Sequence, residues 1–302
     1  MNELPELFPG FESRRFTTRG AEIFARLGGE GPLLFLLHGY PQTHAIWHRV
    51  APLIGHKFRL VLCDLRGYGA SSLPPTDAEH FTYSKRSMAL DVIDIADQLG
   101  AERFFLCGHD RGGRVGYRLA LDHPARIEKL IALDIIPTYE MWHRLTADLA
   151  MKIFHWPFLA QPAPFPEDMI GADPDYWLDS KMLLHGGSGD QSIFAPEALA
   201  HYRHYFRDPA HIHASCEDYR AGVTCDLAAD TTDREAGRRI ACPTGVFWGA
   251  RGIPSRSTAT LDIWQAWCED VRGNAIECGH YLPEEAPQET ASAILEFFGA
   301  GD

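Results

Sequence analysis

The sequence predicts an α/β fold, with a mostly parallel central sheet flanked by helices and interrupted by an inserted helical cap. Three observations carry this. Short, continuously apolar segments alternate with helix-period segments over residues 1–137. An aromatic-rich, proline-broken stretch without a strong strand follows, and the strand pattern then returns near Thr244.

In chain order, residues 33–37 (Leu-Leu-Phe-Leu-Leu) read as a buried strand running into His38-Gly39-Tyr40-Pro41. Residues 59–64 form the next, followed by a glycine-punctuated loop over 66–72. Met88, Val92, Ile95 and Leu99 recur at the helical period, so 84–99 is a helix stopped at Gly100. A third strand over 103–107 leads to a helix over 114–121, which ends before Pro124, and 130–133 is a fourth strand. Residues 138–233 are expected to be helical and to form a cap over the carboxyl edge of the sheet, where open α/β sheets bind ligands. Strands over 244–248 and 274–277 and a last helix over 284–298 complete the fold. The core domain is therefore placed at 1–137 and 234–302, and the cap at 138–233.

Composition excludes several functions. Among 302 residues, 28 basic side chains face 41 acidic ones, a net charge of −13. Binding to nucleic acid or to a membrane surface needs the opposite sign. An apolar fraction of 45% excludes intrinsic disorder. The apolar runs are far shorter than the ~18 residues of a spanning helix. The start Met1-Asn2-Glu3-Leu4-Pro5-Glu6 lacks the pattern of a signal peptide. Seven irregularly spaced cysteines with no Cys-x-x-Cys read as core fillers in a reduced, cytoplasmic protein. His201/His204 and His211/His213 lack the further ligands a metal needs, so no metal or other cofactor is expected.

The third strand runs into Gly108-His109-Asp110-Arg111-Gly112-Gly113. Small residues two before and two after Asp110 permit a sharp strand-to-helix turn that pushes its side chain out at the top of the sheet. This is the nucleophile elbow, usually written Gly-x-Ser-x-Gly, here with aspartate in the centre. By itself, Asp110 reads equally as an N-cap on a tight turn. Gly279-His280, after the last short strand, supplies a base in the order this architecture uses.

Together, His38-Gly39-Tyr40-Pro41, the 66–72 loop, the Asp110 elbow and Gly279-His280 resemble the α/β-hydrolase family along essentially the whole chain. They are similar to its aspartate-nucleophile branch of haloalkane dehalogenases, epoxide hydrolases and fluoroacetate dehalogenases. An aspartate attacks saturated carbon and forms an alkyl ester, which a water deprotonated by His280 then hydrolyses. Backbone N–H groups of Tyr40 and Arg111 are expected to hold the oxyanion. Many relatives carry the histidine-orienting acid in a Gly-x-x-Asp turn, but Gly249-Ala250-Arg251-Gly252 has none. Asp134, after the fourth strand, is the candidate instead, as the resemblance to fluoroacetate dehalogenases implies.

Arg111 follows the nucleophile and Arg114 comes one helical turn after it. Guanidinium forks suit a substrate carboxylate, although Arg114 could equally pair with an acid on its helix. Phe154-His155-Trp156-Pro157 and Cys216-Glu217-Asp218-Tyr219-Arg220 resemble cap segments of fluoroacetate dehalogenases. That resemblance makes His155, Trp156 and Tyr219 halide donors; from the residues alone, three aromatics packed on the core is the alternative. The resemblance thus implies a haloacetate dehalogenase acting on a small anionic haloacid, with a homodimeric assembly. An epoxide hydrolase using the same Asp110 and His280 is the rival.

Overall fold

The computed structural model describes residues 4–185, 189, 191–254 and 260–299. Its centre is an eight-stranded sheet in the order β1-β2-β4-β3-β5-β6-β7-β8. The strands are β1 (Glu12–Thr17), β2 (Glu22–Gly28), β3 (Leu33–Leu37), β4 (Arg59–Cys63), β5 (Phe104–His109), β6 (Ile127–Leu133), β7 (Thr244–Gly249) and β8 (Val271–Ile276). From β4 to β8 every neighbouring pair is parallel, whereas β2 pairs antiparallel with β1 and β4.

The side-chain alternation of the strands divides the interior into two layers. Phe35, Leu37, Val61, Leu106 and Leu130 join one buried cluster. Leu34, Leu36, Leu60, Leu62, Phe105 and Ile131 join the other, on the opposite face. Because both faces are covered, these strands are apolar without interruption and stand out in the sequence. The β1–β2 hairpin does not. Only Phe16 of β1 is buried, and this arginine-rich edge gives no apolar run.

Helix Lys85–Gln98 is capped by Ser84, whose hydroxyl accepts from the Ser87 N–H. The elbow helix spans Arg111–Asp122, starting three residues before the expected position because it begins directly at the turn. The expected single helix over 284–298 is two, Leu282–Glu285 and Pro287–Gly299. Pro287 lacks an N–H and disfavours helical backbone in the residue before it; Ala286 accordingly adopts φ −137° and ψ 59°. Between β6 and β7 the described residues form eight α-helices, from Thr138–His143 to Cys225–Glu235. All seven cysteines are free, six of them buried. No helix among the described residues is long and apolar enough to cross a membrane.

Candidate active site

Parallel strands end on the same edge, and that edge gathers the chemistry. Asp110 follows β5 with φ 46° and ψ −113°, in the positive-φ region that a residue with a Cβ rarely occupies. The turn closes because its neighbours lack side chains. A Cβ on Gly108 would lie 2.3 Å from the Gly112 carbonyl, and one on Gly112 would lie 2.5 Å from the Leu37 carbonyl. The backbone contact is direct: the Gly112 N–H donates to the His38 carbonyl at 2.8 Å.

The Tyr40 N–H donates to Asp110 Oδ2 at 3.0 Å. A Cβ on Gly39 would meet the Asp110 side chain at 2.5 Å, so only glycine lets this loop approach. Burial alone would raise the pKa of Asp110, but the charges of His280, Arg111 and Arg114 outweigh it and hold the carboxyl below its ordinary value. A buried, ionised carboxylate is a competent nucleophile.

His280 and Asp134 meet across the edge, with His280 Nδ1 2.6 Å from Asp134 Oδ2. The other oxygen of Asp134 accepts from the Gly249 N–H at 2.8 Å. Burial raises the pKa of Asp134, while Asp134 and Asp110 raise that of His280 against its own burial. The imidazole that would take a proton thus has two carboxylates to stabilise its cation.

His109 was not singled out from the sequence. Its Nε2–H donates to the His280 carbonyl at 2.8 Å, and the two rings lie 4.6 Å apart. Burial and the nearby His280 lower its pKa to about 3, so it stays neutral beside His280. Its place between Gly108 and Asp110 was the available signal.

A small cavity of about 30 Å³ is lined by Asp110, Arg114, His155, Trp156, Tyr219 and His280, with Tyr40, Asp134 and Lys181 also on its wall. The three expected donors from the inserted helices therefore share one space with Asp110. Tyr219 packs edge-on against both His155 and Trp156, at 5.7 Å and 6.0 Å between ring centroids. Arg114 is buried and pairs with no acid on its helix. Its Nη1 donates to the Ile136 carbonyl and Thr138 Oγ1, its Nε has no partner, and its guanidinium lies 4.5 Å over the Trp156 ring.

Arg111 departs from the expectation that it faces the cavity beside Arg114. Its Nε and Nη2 donate to the carboxylate of Asp218 at 2.8 Å and 2.6 Å, and it is not on the cavity wall. The reason is long-range: helix Pro209–Val223 brings in a buried acid that captures the fork. Lys181, fully buried on helix Pro174–His185, is a cavity residue that sequence reasoning missed, since a lysine at helical spacing reads as a solvated face. Among the described residues, no group of three or more His, Cys, Asp or Glu side chains is arranged to hold a metal ion.

A strand-to-helix elbow carrying a buried carboxylate, with a histidine–carboxylate pair across the same sheet edge, agrees with the sequence comparison. A family model for the alpha/beta hydrolase fold matches residues 32–287. The chain belongs to the α/β-hydrolase family. It is 44% identical over 291 residues to a fluoroacetate dehalogenase from a Burkholderia species, covering 96% of this chain and 95% of that one. It is 31% identical to a soluble epoxide hydrolase from Corynebacterium sp. strain C12, covering 89% and 91%. A solved structure from Nostoc sp. PCC 7120 superimposes with a TM-score of 0.93 at 47% identity, over 96% of this chain and 98% of that one.

Proposed function

We propose that the protein is a haloacetate dehalogenase that hydrolyses fluoroacetate, and also chloro- and bromoacetate, to glycolate and halide. The observation that carries the reading is a cavity which joins a carboxylate nucleophile, a buried arginine and three hydrogen-bond donors in a space for a very small ligand. The relative named a fluoroacetate dehalogenase agrees with it.

In the first step an Asp110 oxygen attacks the α-carbon. The new C–O bond forms as the carbon–halogen bond breaks, and the halide leaves with the bonding pair. His155 and Trp156 N–H and Tyr219 O–H receive its developing charge. Arg114 holds the substrate carboxylate, and Arg111 adds its charge from behind Trp156 and Tyr219. In the second step His280 takes a proton from water, and the hydroxide attacks the Asp110 carboxyl carbon. The resulting oxyanion sits where the Tyr40 N–H already donates, with the Arg111 N–H as its second donor. Collapse expels glycolate and restores Asp110, so one water is consumed and one proton released. Asp134 orients His280 and stabilises its cation. No step calls for a metal or an organic cofactor.

Epoxide hydrolysis is the second reading, supported by the Corynebacterium relative and by Tyr219 as a donor toward an epoxide oxygen. A narrow cavity of about 30 Å³, walled by His155, Trp156 and Tyr219, favours a haloacetate over a bulkier aryl epoxide. A homodimer located in the cytoplasm belongs to the same proposal; exposed Met151, Phe165, Met169 and Tyr176 on the inserted helices support the pairing alone. A fluoride electrode with fluoroacetate, run beside styrene oxide, tests the activity. Fluoride release without diol formation is expected; diol without fluoride would sink the dehalogenase reading.

A further inference from the structure

Asp218 lies far from Asp110 in sequence, is completely buried, and has no role in the chemistry just described. Yet it is the most heavily bonded carboxylate near the site. Arg111 grips it through Nε and Nη2, and Nη2 also donates to its backbone carbonyl at 2.8 Å. The Tyr68 O–H donates to it at 2.7 Å, and buried Lys85 pairs with it from helix Lys85–Gln98. Lys85 is in turn 3.5 Å from Asp226. Two buried cations thus meet two buried anions, and every partner is a different element of the fold.

The next residue on the same helix is Tyr219, whose ring lies under the Arg111 guanidinium at 4.2 Å. Asp218 therefore meets the edge of the arginine while Tyr219 covers its face. An arginine gripped at its edge by a carboxylate is fixed in position, and a ring in contact with that cation is held in place with it.

We propose that Asp218, buttressed by Lys85 and Tyr68, is a positioning residue for the leaving-group side of the site, fixing Tyr219 beside the nucleophile through Arg111. The inference rests on the dehalogenase reading and predicts which substrates suffer when it is disturbed. Fluoride concentrates its charge and depends on well-placed donors; bromide is diffuse and leaves readily. A defect in carboxylate binding would affect both haloacetates alike, because they share that group. A defect in Tyr219 placement would fall on fluoroacetate.

The test is kcat/KM, which reports on carbon–halogen cleavage, for fluoroacetate and bromoacetate in D218N and in D218N/K85M. D218N should lower the fluoroacetate value about ten-fold more than the bromoacetate value, as loss of one aimed donor would, and should lower Tm because Arg111 loses its carboxylate and Lys85 one of two, leaving a surplus buried cation. D218N/K85M removes the surplus cation. Its Tm should recover while the altered substrate ratio persists, and it carries the reading if D218N does not fold. An unchanged ratio in both variants, or a ratio restored together with Tm, would overturn the proposal, leaving Asp218 as a charge balance only. If the wild type releases halide from no haloacetate, the functional reading falls, and bromide binding followed by tryptophan quenching decides instead. Weaker binding by about five-fold or more in D218N/K85M would support the positioning role; equal binding would refute it.

Discussion

The position of Asp110 at the tip of the elbow carries backbone strain, of the order of 1–3 kcal/mol for a non-glycine residue in such a region. The glycines around it and the Tyr40 N–H on its carboxylate hold it there. His280 has the complementary setting: one nitrogen is fixed on Asp134, and Asp134 and Asp110 favour its protonated form. If Asp110 is the nucleophile and His280 the base, His280→Asn should stop turnover after the first step. Intact mass spectrometry after incubation with fluoroacetate should then show one added carboxymethyl group, mapped to Asp110. Bound fluoroacetate with no added mass would argue against the covalent route. Arg111 and Arg114 show how differently one residue type can be used one helical turn apart. The first is held on Asp218 with its face on Tyr219, and the second lines the cavity with an unpartnered Nε.

At the scale of elements, the turns after β6 and β7 converge on the same spot. A Cβ built on Gly252, after β7, would lie 2.5 Å from Asp134 Oδ1. Gly252 is the fourth residue of Gly249-Ala250-Arg251-Gly252, where many relatives place their acid. An acid in either turn can thus reach His280, but the two cannot coexist. Asp134→Ala should lower kcat by about 10³-fold or more, and D134A/G252D should regain at least about ten-fold of that loss by restoring a carboxylate. A folded double variant no faster than D134A would show that the β7 turn cannot serve. The same scale explains which elements could be read in advance. Strands β3 to β7, covered on both faces, announce themselves as apolar runs. The β1–β2 hairpin lies at an edge where most side chains meet solvent, and the break before Pro287 was hidden by helix-period apolar residues on both sides.

Across the whole molecule, buried Glu284 joins three regions. Its Oε1 accepts from the Tyr202 O–H of helix Pro196–Phe206 at 2.5 Å, Oε2 lies 3.8 Å from His48 Nδ1, and its backbone follows the His280 turn. Gln42, on the loop after Tyr40, donates to the same Tyr202 oxygen. Burial pushes the Glu284 pKa up to about 8, against the attraction of Arg49. The folded state therefore keeps a proton that the unfolded chain gives up near pH 4.5. Stability from this group is lost as pH rises from about 4.5 to about 8 and changes little above that. Glu284→Gln, neutral throughout, should match the wild type near pH 4 and exceed it by on the order of 4 kcal/mol at pH 8. Thermal melts at the two pH values check this; an equal difference at both would remove the titration from the explanation.

The sequence by itself determined the alternation of strand and helix, the sharp turn that carries Asp110 at its tip, and the placing of His280 and Asp134 at strand ends. These are local matters of apolar period, glycine tolerance and chain order, and the structure places those three side chains together. Only the tertiary structure decided how charged side chains are shared out. Arg111 lies on Asp218 because a distant helix packs there, Lys181 reaches the cavity from another, and Glu284 keeps its proton because three segments bury it. A long, charged side chain has many rotamers and takes the partner that burial makes strongest. That partner belongs to the fold as a whole, which no local pattern can reveal.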